Sequence, residues 1–314
     1  MVRVLKRMQD KSGRSIGLAL SALPDNRVIR LHNVTCVYCG QEMTSETTTR
    51  EHVIGRRFVP KGKLQGYWNL IVNACRTCNG AKSDLEDDIS AITMQPDVFG
   101  RYGHEDQAAA AHGQRKAKGS HSRRTKRLVK NSHEEMTIKG SFGPGVNMTF
   151  KFTGPPQTDQ QRVFDLARLQ VMGFFYWITF NKETKRGHFW RSGFYPVLEA
   201  NRPDWGNPVH CAFADAVVEW EPRVLAFNAD GFYKIALRKH PSATCWSWAL
   251  EWNHAMRVIG FFGDKDAMQA VAAGFPRLKA DTVSQGPNRA LAYRIETPLP
   301  EGEDKLFNWD VDNG

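Results

Sequence analysis

In the stretch TTTREHVIGRRF, residues 47–58, a carboxylate and an imidazole stand side by side as Glu51 and His52. A neutral imidazole is the natural general base for activating water near pH 7. A carboxylate one residue earlier on a strand leaves the opposite face, so it does not orient that imidazole. It suits a hard cation such as Mg²⁺ or Mn²⁺, and Asn79 could supply a second oxygen. One ion with two protein ligands keeps positions open for a phosphate and a leaving oxygen.

Two thiol pairs bracket this stretch. Cys36 and Cys39 form one CxxC, Cys75 and Cys78 another, with 35 residues between them. Each pair offers two sulfurs from one tight bend. Four sulfurs satisfy a zinc ion tetrahedrally and leave no position for water, so the expected Zn²⁺ is structural. A redox dithiol and plain buried cysteines are the competing readings, and two pairs together favour zinc. Cys211 and Cys245 stand alone in apolar surroundings and are expected to be buried, inert thiols.

These residues need elements to hold them. RVIRLHNV (27–34) alternates apolar and polar positions and predicts a strand running into the first CxxC. TREHVI predicts a short strand, and GRRFVPKGKLQG a basic Gly/Pro loop. A helix is expected from about Asn79, with Ala81, Lys82, Leu85, Ile89 and Ile92 on its inner face.

The net charge of +10 is unevenly spread. Residues 101–131 carry 9 Lys+Arg against 2 Asp+Glu and show no clear apolar period, which suggests a basic linker or mobile arm over 101–133. A positive field in the first 131 residues favours a polyanionic partner, nucleic acid first, although a merely solvated surface would look the same. The longest apolar run, GFFYWITF, is far too short to span a bilayer, so no membrane partner is expected. The N-terminal IGLALSAL lacks the flanks of an export signal and is read as structure.

Together, CVYC…REHVI…NLIVNACRTCNGAKSD resembles the HNH endonuclease family, the ββα-metal or His-Me finger group, in its four-cysteine zinc form, over residues 34–92. The resemblance implies that His52 is the base acting on water, that Glu51 and Asn79 hold the catalytic Mg²⁺, and that Cys36, Cys39, Cys75 and Cys78 hold Zn²⁺. Asn69 would match the middle Asn that positions the base and its turn, with Asn73 a rival because the spacing to Cys75 is one residue longer than usual. Glu51 stands where Asp or His is common, and Gly55 replaces a frequent Pro. Arg56, Arg57, Lys61, Arg76 and Lys82 surround the site in sequence and are expected to meet phosphates.

Residues 134–314 are expected to form a larger unit without a chemical motif, serving recognition, sensing or dimerisation. MTIKGSF and VNMTFKF predict a hairpin around GPG, and a buried helix follows over 159–180. VHCAFADAVVEW reads as strand, RVLAFN and FYKIALRK as a hairpin around Asp230–Gly231, SWALEW and MRVIGFFG as strands, DKDAMQAVAAG as a helix, and the acidic tail after 298 as loose. The expected fold class is α+β: a zinc-stapled ββα-metal domain (1–100) followed by a larger mixed α+β domain. The expected function is metal-dependent cleavage of DNA in the cytoplasm, in a restriction, phage-defence or mobile-element setting, with a homodimer as one way to cut both strands. The alternative is a non-catalytic zinc module that binds nucleic acid.

Overall fold

The computed structural model describes residues 2–9, 15–23, 28–141, 143, 145, 147–190, 193–284 and 290–307. In chain order, the first half holds β1 (Val2–Gln9), β2 (Ser15–Leu23), β3 (Val28–Arg30), β4 (Thr48–His52), β5 (Asn69–Cys75), α1 (Arg76–Thr93) and α2 (Gln107–Ala117). The second holds β6 (Glu134–Ser141), β7 (Asn147–Gly154), α3 (Gln160–Ile178), β8 (Phe194–Asn201), α4 (Pro208–Val217), β9 (Glu221–Asn228), β10 (Tyr233–Lys239), β11 (Cys245–Trp252), β12 (Met256–Gly263), α5 (Lys265–Ala272), β13 (Asp281–Ser284) and β14 (Ala290–Tyr293). The fold is mixed α+β. No helix among the described residues is long and apolar enough to cross a membrane.

A seven-stranded antiparallel sheet in the order β2-β1-β9-β10-β11-β12-β8 forms the centre. Its middle strands read as near-continuous apolar runs because both faces are covered. Val224, Ala226, Ile235, Leu237, Trp248 and Leu250 join one core; Leu225, Ala236, Ala249 and Ile259 join the other. On the second face lie α4, α5, Leu306 and Phe307. The first face receives α3, whose Val163, Leu166, Val171 and Phe174 are buried, and beyond it the β4–β5 hairpin.

That first core is common to both halves of the chain: Val53, Trp68 and Leu85 lie in it with Phe174, Tyr233 and Trp252. Polar ties cross the same boundary. The Trp68 indole donates to Phe227 O (3.0 Å), and the Asn253 amide donates to Phe58 O (3.2 Å) and Thr93 Oγ1 (2.8 Å). At Gly173 of α3 a Cβ would stand 2.7 Å from Val53 Cγ2, so only glycine lets α3 approach the turn after β4.

Several sequence expectations change here. Residues 107–117 form α2 instead of part of a loose arm. Asp106 caps it, and acidic α1 receives the following loop through Arg123–Asp84 (2.7 Å) and the Arg123 N–H to Asp88 Oδ2 (3.0 Å). VHCAFADAVV is helical as α4, because Asn207 accepts from the His210 N–H and Pro208 opens the first turn. The strand expected over 27–34 shortens to β3. The tail is packed as far as Phe307, with Asp304 paired to buried Arg257; residues 308–314 lie outside the described residues. The hairpin of β6 and β7 and the strands β9 to β12 stand where expected.

Candidate active site

The two CxxC turns are built differently. In the first, the Gly40 N–H returns to Cys36 O (2.8 Å) with Gly40 at φ +71°, a conformation that favours glycine. In the second, Cys75 ends β5 and caps α1, its Sγ accepting from the Cys78 N–H (3.5 Å). Helix α1 therefore starts at Arg76, three residues earlier than expected, which puts Cys78 and Asn79 in its first turn. An Asn33–Asn73 pair ties the turns together: the Asn73 N–H donates to Asn33 Oδ1 (2.8 Å), and the Asn73 amide to Asn33 O (2.9 Å).

The result is a four-sulfur cluster. The ligand atoms of Cys36, Cys39, Cys75 and Cys78 all lie within 4.8 Å of one another, and Cys39 Sγ stands 4.0 Å from Cys75 Sγ. Tetrahedral Zn–S bonds of about 2.3 Å put neighbouring sulfurs about 3.8 Å apart. The four sulfurs fit a structural zinc, and the convergence of both pairs leaves the two-thiol redox reading without support. Cys245 is buried as expected, whereas Cys211 is only half-buried and its thiol donates to Gly206 O (3.5 Å).

Strand β4 is the outer strand of the three-stranded sheet β3-β5-β4. In its antiparallel register with β5, Thr49 faces Ala74, Glu51 faces Val72 and His52 faces Ile71. Alternation puts Thr49 and Glu51 on one face, and Arg50 and His52 on the other. The Asn79 amide donates to Thr49 Oγ1 (3.0 Å), so α1 covers the Glu51 face. Asn69, at the far end of β5, donates to Ile54 O (3.0 Å) and holds the turn that follows His52. Asn73, its rival in the sequence, is committed to Asn33 instead.

His52 is half-buried, and its ring makes no hydrogen bond among the described residues. Burial pulls the imidazole below its ordinary pKa, and the nearby Arg56 guanidinium adds to the shift. The ring is therefore neutral at pH 7, the form a general base needs.

Glu51 sits in a more crowded setting than its sequence suggests. It is 6% exposed; its Oε1 meets Lys82 Nζ at 2.7 Å and accepts from the Tyr38 hydroxyl at 3.2 Å. Lys82 is fully buried, also pairs with Glu86 Oε1 (2.5 Å), and donates to His52 O (3.1 Å). Burial works against the ammonium, but Glu86 and Glu51 outweigh it and hold Lys82 above its ordinary pKa. Lys82 is thus not a phosphate contact: it is the internal cation between two carboxylates. The lysine and Glu86 stand one helical turn apart on the inner face of α1, a spacing visible in the sequence.

Glu51 Oε2 and Asn79 Oδ1 carry no hydrogen bond among the described residues, and both belong to the α1-covered side. As donor types a carboxylate and an amide oxygen suit a hard divalent ion, which they would hold beside the buried Lys82 ammonium, and His52 stands apart on the other face. Among the remaining expected contacts, Arg56, Arg57, Lys61 and Arg76 are exposed. Compared with family models, curated proteins and solved structures, the chain finds no match.

Proposed function

We propose that the chain is a divalent-metal-dependent endonuclease of the HNH type that hydrolyses phosphodiester bonds in DNA. The observation that carries this reading is the arrangement on one outer strand. His52, neutral and without a ring partner, leaves one face, while the unpartnered Glu51 Oε2 lies on the other with Asn79 Oδ1, beside the four-sulfur cluster. In-line displacement at phosphorus needs its base and its leaving-group stabiliser across one phosphate, so His52 and the Glu51–Asn79 pair would have to meet the scissile group at the open edge of β4.

In this reading His52 takes the proton of the attacking water. Asn69 fixes the Ile54 carbonyl and hence the turn that orients the ring. Glu51 and Asn79 would hold Mg²⁺ or Mn²⁺, which supplies charge stabilisation to the phosphate and the departing 3′ oxygen. Lys82 fixes the Glu51 carboxylate through Oε1 and keeps Oε2 free. Exposed Arg56 and Arg57 offer charge to the phosphates on the His52 side. The scheme needs no 2′-hydroxyl, so it can act on DNA. A cytoplasmic role in restriction, phage defence or a mobile element suits such chemistry, and two copies would cut two strands.

A second reading has one observation in its favour: Lys82 already neutralises Glu51, which suits a non-catalytic zinc module that binds nucleic acid. Incubation of plasmid DNA with and without Mg²⁺ separates the two. Metal-dependent nicking or linearisation supports the nuclease; DNA binding with no cleavage under any divalent metal supports the module.

A further inference from the structure

The described basic residues of the first 131 positions divide into two sets. Lys63, Lys82, Arg101, Arg123 and Arg124 are paired with carboxylates, and Lys116 is turned inward, donating to Arg57 O (2.5 Å) and to Ser90 Oγ. Arg56, Arg57, Lys61, Arg115 and Lys118 are exposed and have no ion pair among the described residues, and the same holds of Arg30, Arg50, Arg76, Lys126, Arg127 and Lys130.

The first five of these stand on two neighbouring elements. The inward Lys116 fastens α2 to the backbone at Arg57, so the loop after His52 and helix α2 are neighbours. Lys63 of the same loop pairs with Asp106, the cap of α2 (2.6 Å), which brings the stretch from Lys61 to Lys63 to the start of that helix. Residues 112, 115 and 118 follow one another at three-residue steps and share a helix face. At the other end Arg56 and Arg57 lie on the turn that directly follows β4 and His52. Asp87 and Glu86 act on Lys116 from the inner side of the helix. Exposed cations left unpaired repel one another unless an anion covers them, and a row spread over two elements matches a chain of phosphates rather than a single one.

We infer that the outer face of α2 extends the phosphate-binding surface of the loop after β4, so that duplex DNA lies along a track from His52 through Arg56, Arg57 and Lys61 to Arg115 and Lys118. This rests on the nuclease reading for the place of the cut, but it concerns binding and is tested by binding.

The full-length chain carrying His52→Ala is titrated with a labelled DNA duplex of about 30 base pairs over a series of salt concentrations, without Mg²⁺. Arg115→Ala with Lys118→Ala should weaken binding and reduce the log–log salt slope by about 2, since each phosphate contact contributes about 0.9. Both side chains are exposed and unpaired, so the thermal midpoint should not move. An unchanged slope, while Arg56→Ala with Arg57→Ala lowers it, overturns the track and leaves the nuclease reading intact. A reduced slope in a protein whose wild type never cuts plasmid keeps the track and removes the nuclease.

Discussion

At the scale of single residues, the environment of a charge decides its role more than its type does. Lys82 and Arg56 are both cations beside the same acid–imidazole pair, yet Lys82 is fully buried between Glu51 and Glu86 while Arg56 faces solvent. The residue types and spacing of the site were legible in the sequence: the four cysteines do converge, and Asn69 does reach the turn after His52. The inward lysine was misjudged because its neighbourhood is basic, although its place in register with Leu85 and Ile89 on the inner face of α1 carried the signal. Lys82→Met would leave two carboxylates buried without their cation and should cost about 3–5 kcal/mol in urea unfolding; a loss under about 1 kcal/mol would mean that the pair is solvated. His210 offers a second test. It is 2% exposed, neither ring nitrogen has a partner among the described residues, and burial, with Arg257 nearby, pulls its pKa down to about 4. The folded chain keeps the ring neutral where the unfolded chain takes up a proton below about pH 6.5. Stability should therefore fall as pH drops from about 6.5 to about 4, by up to about 3 kcal/mol. His210→Leu should flatten that window in unfolding measured against pH, whereas an unchanged slope would assign the acid sensitivity to other groups.

At the scale of elements, local signals predicted what local forces decide. Alternation marked β6 to β7 and β9 to β12, and the apolar run marked α3. Helix α4 was missed because its apolar residues run together, although the Asn207–Pro208 pair is a helix start. The segment expected to be a loose arm folds because Asp84 and Asp88 of α1 accept Arg123 and its backbone, a charge match about 35 to 39 positions away that no local window contains. The zinc staple and the contact between α3 and β4 can be tested at this scale. Metal analysis should find one Zn²⁺ per chain, and Cys36→Ser should lose the ion and lower the thermal midpoint; full zinc content in that variant would contradict a four-sulfur site. Gly173→Ala drives a methyl against Val53 and should cost about 1–3 kcal/mol, unless α3 can shift without loss.

At the scale of the whole molecule, the two halves expected from the sequence share one core, and strand β1 near the N-terminus pairs with β9 near residue 225. Pairing across more than 200 positions leaves no local trace, and a core that draws on both halves is equally invisible to composition. A fragment of residues 1–131 would expose Val53, Trp68 and Leu85 to water. It should fail to unfold cooperatively by calorimetry, and the full chain should show one transition; two well-separated transitions would contradict the shared core. The same joint core gives the outer strand β4 a rigid support, and on that support the proposed chemistry depends. Single-turnover cleavage of supercoiled plasmid with Mg²⁺, by wild type and by His52→Ala under conditions where both bind the DNA, tests it most directly. Wild type should cut, and the variant should be slower by about 10²–10⁴-fold with binding intact; equal rates from the two proteins, or no cutting by wild type with any divalent metal, would contradict the nuclease reading.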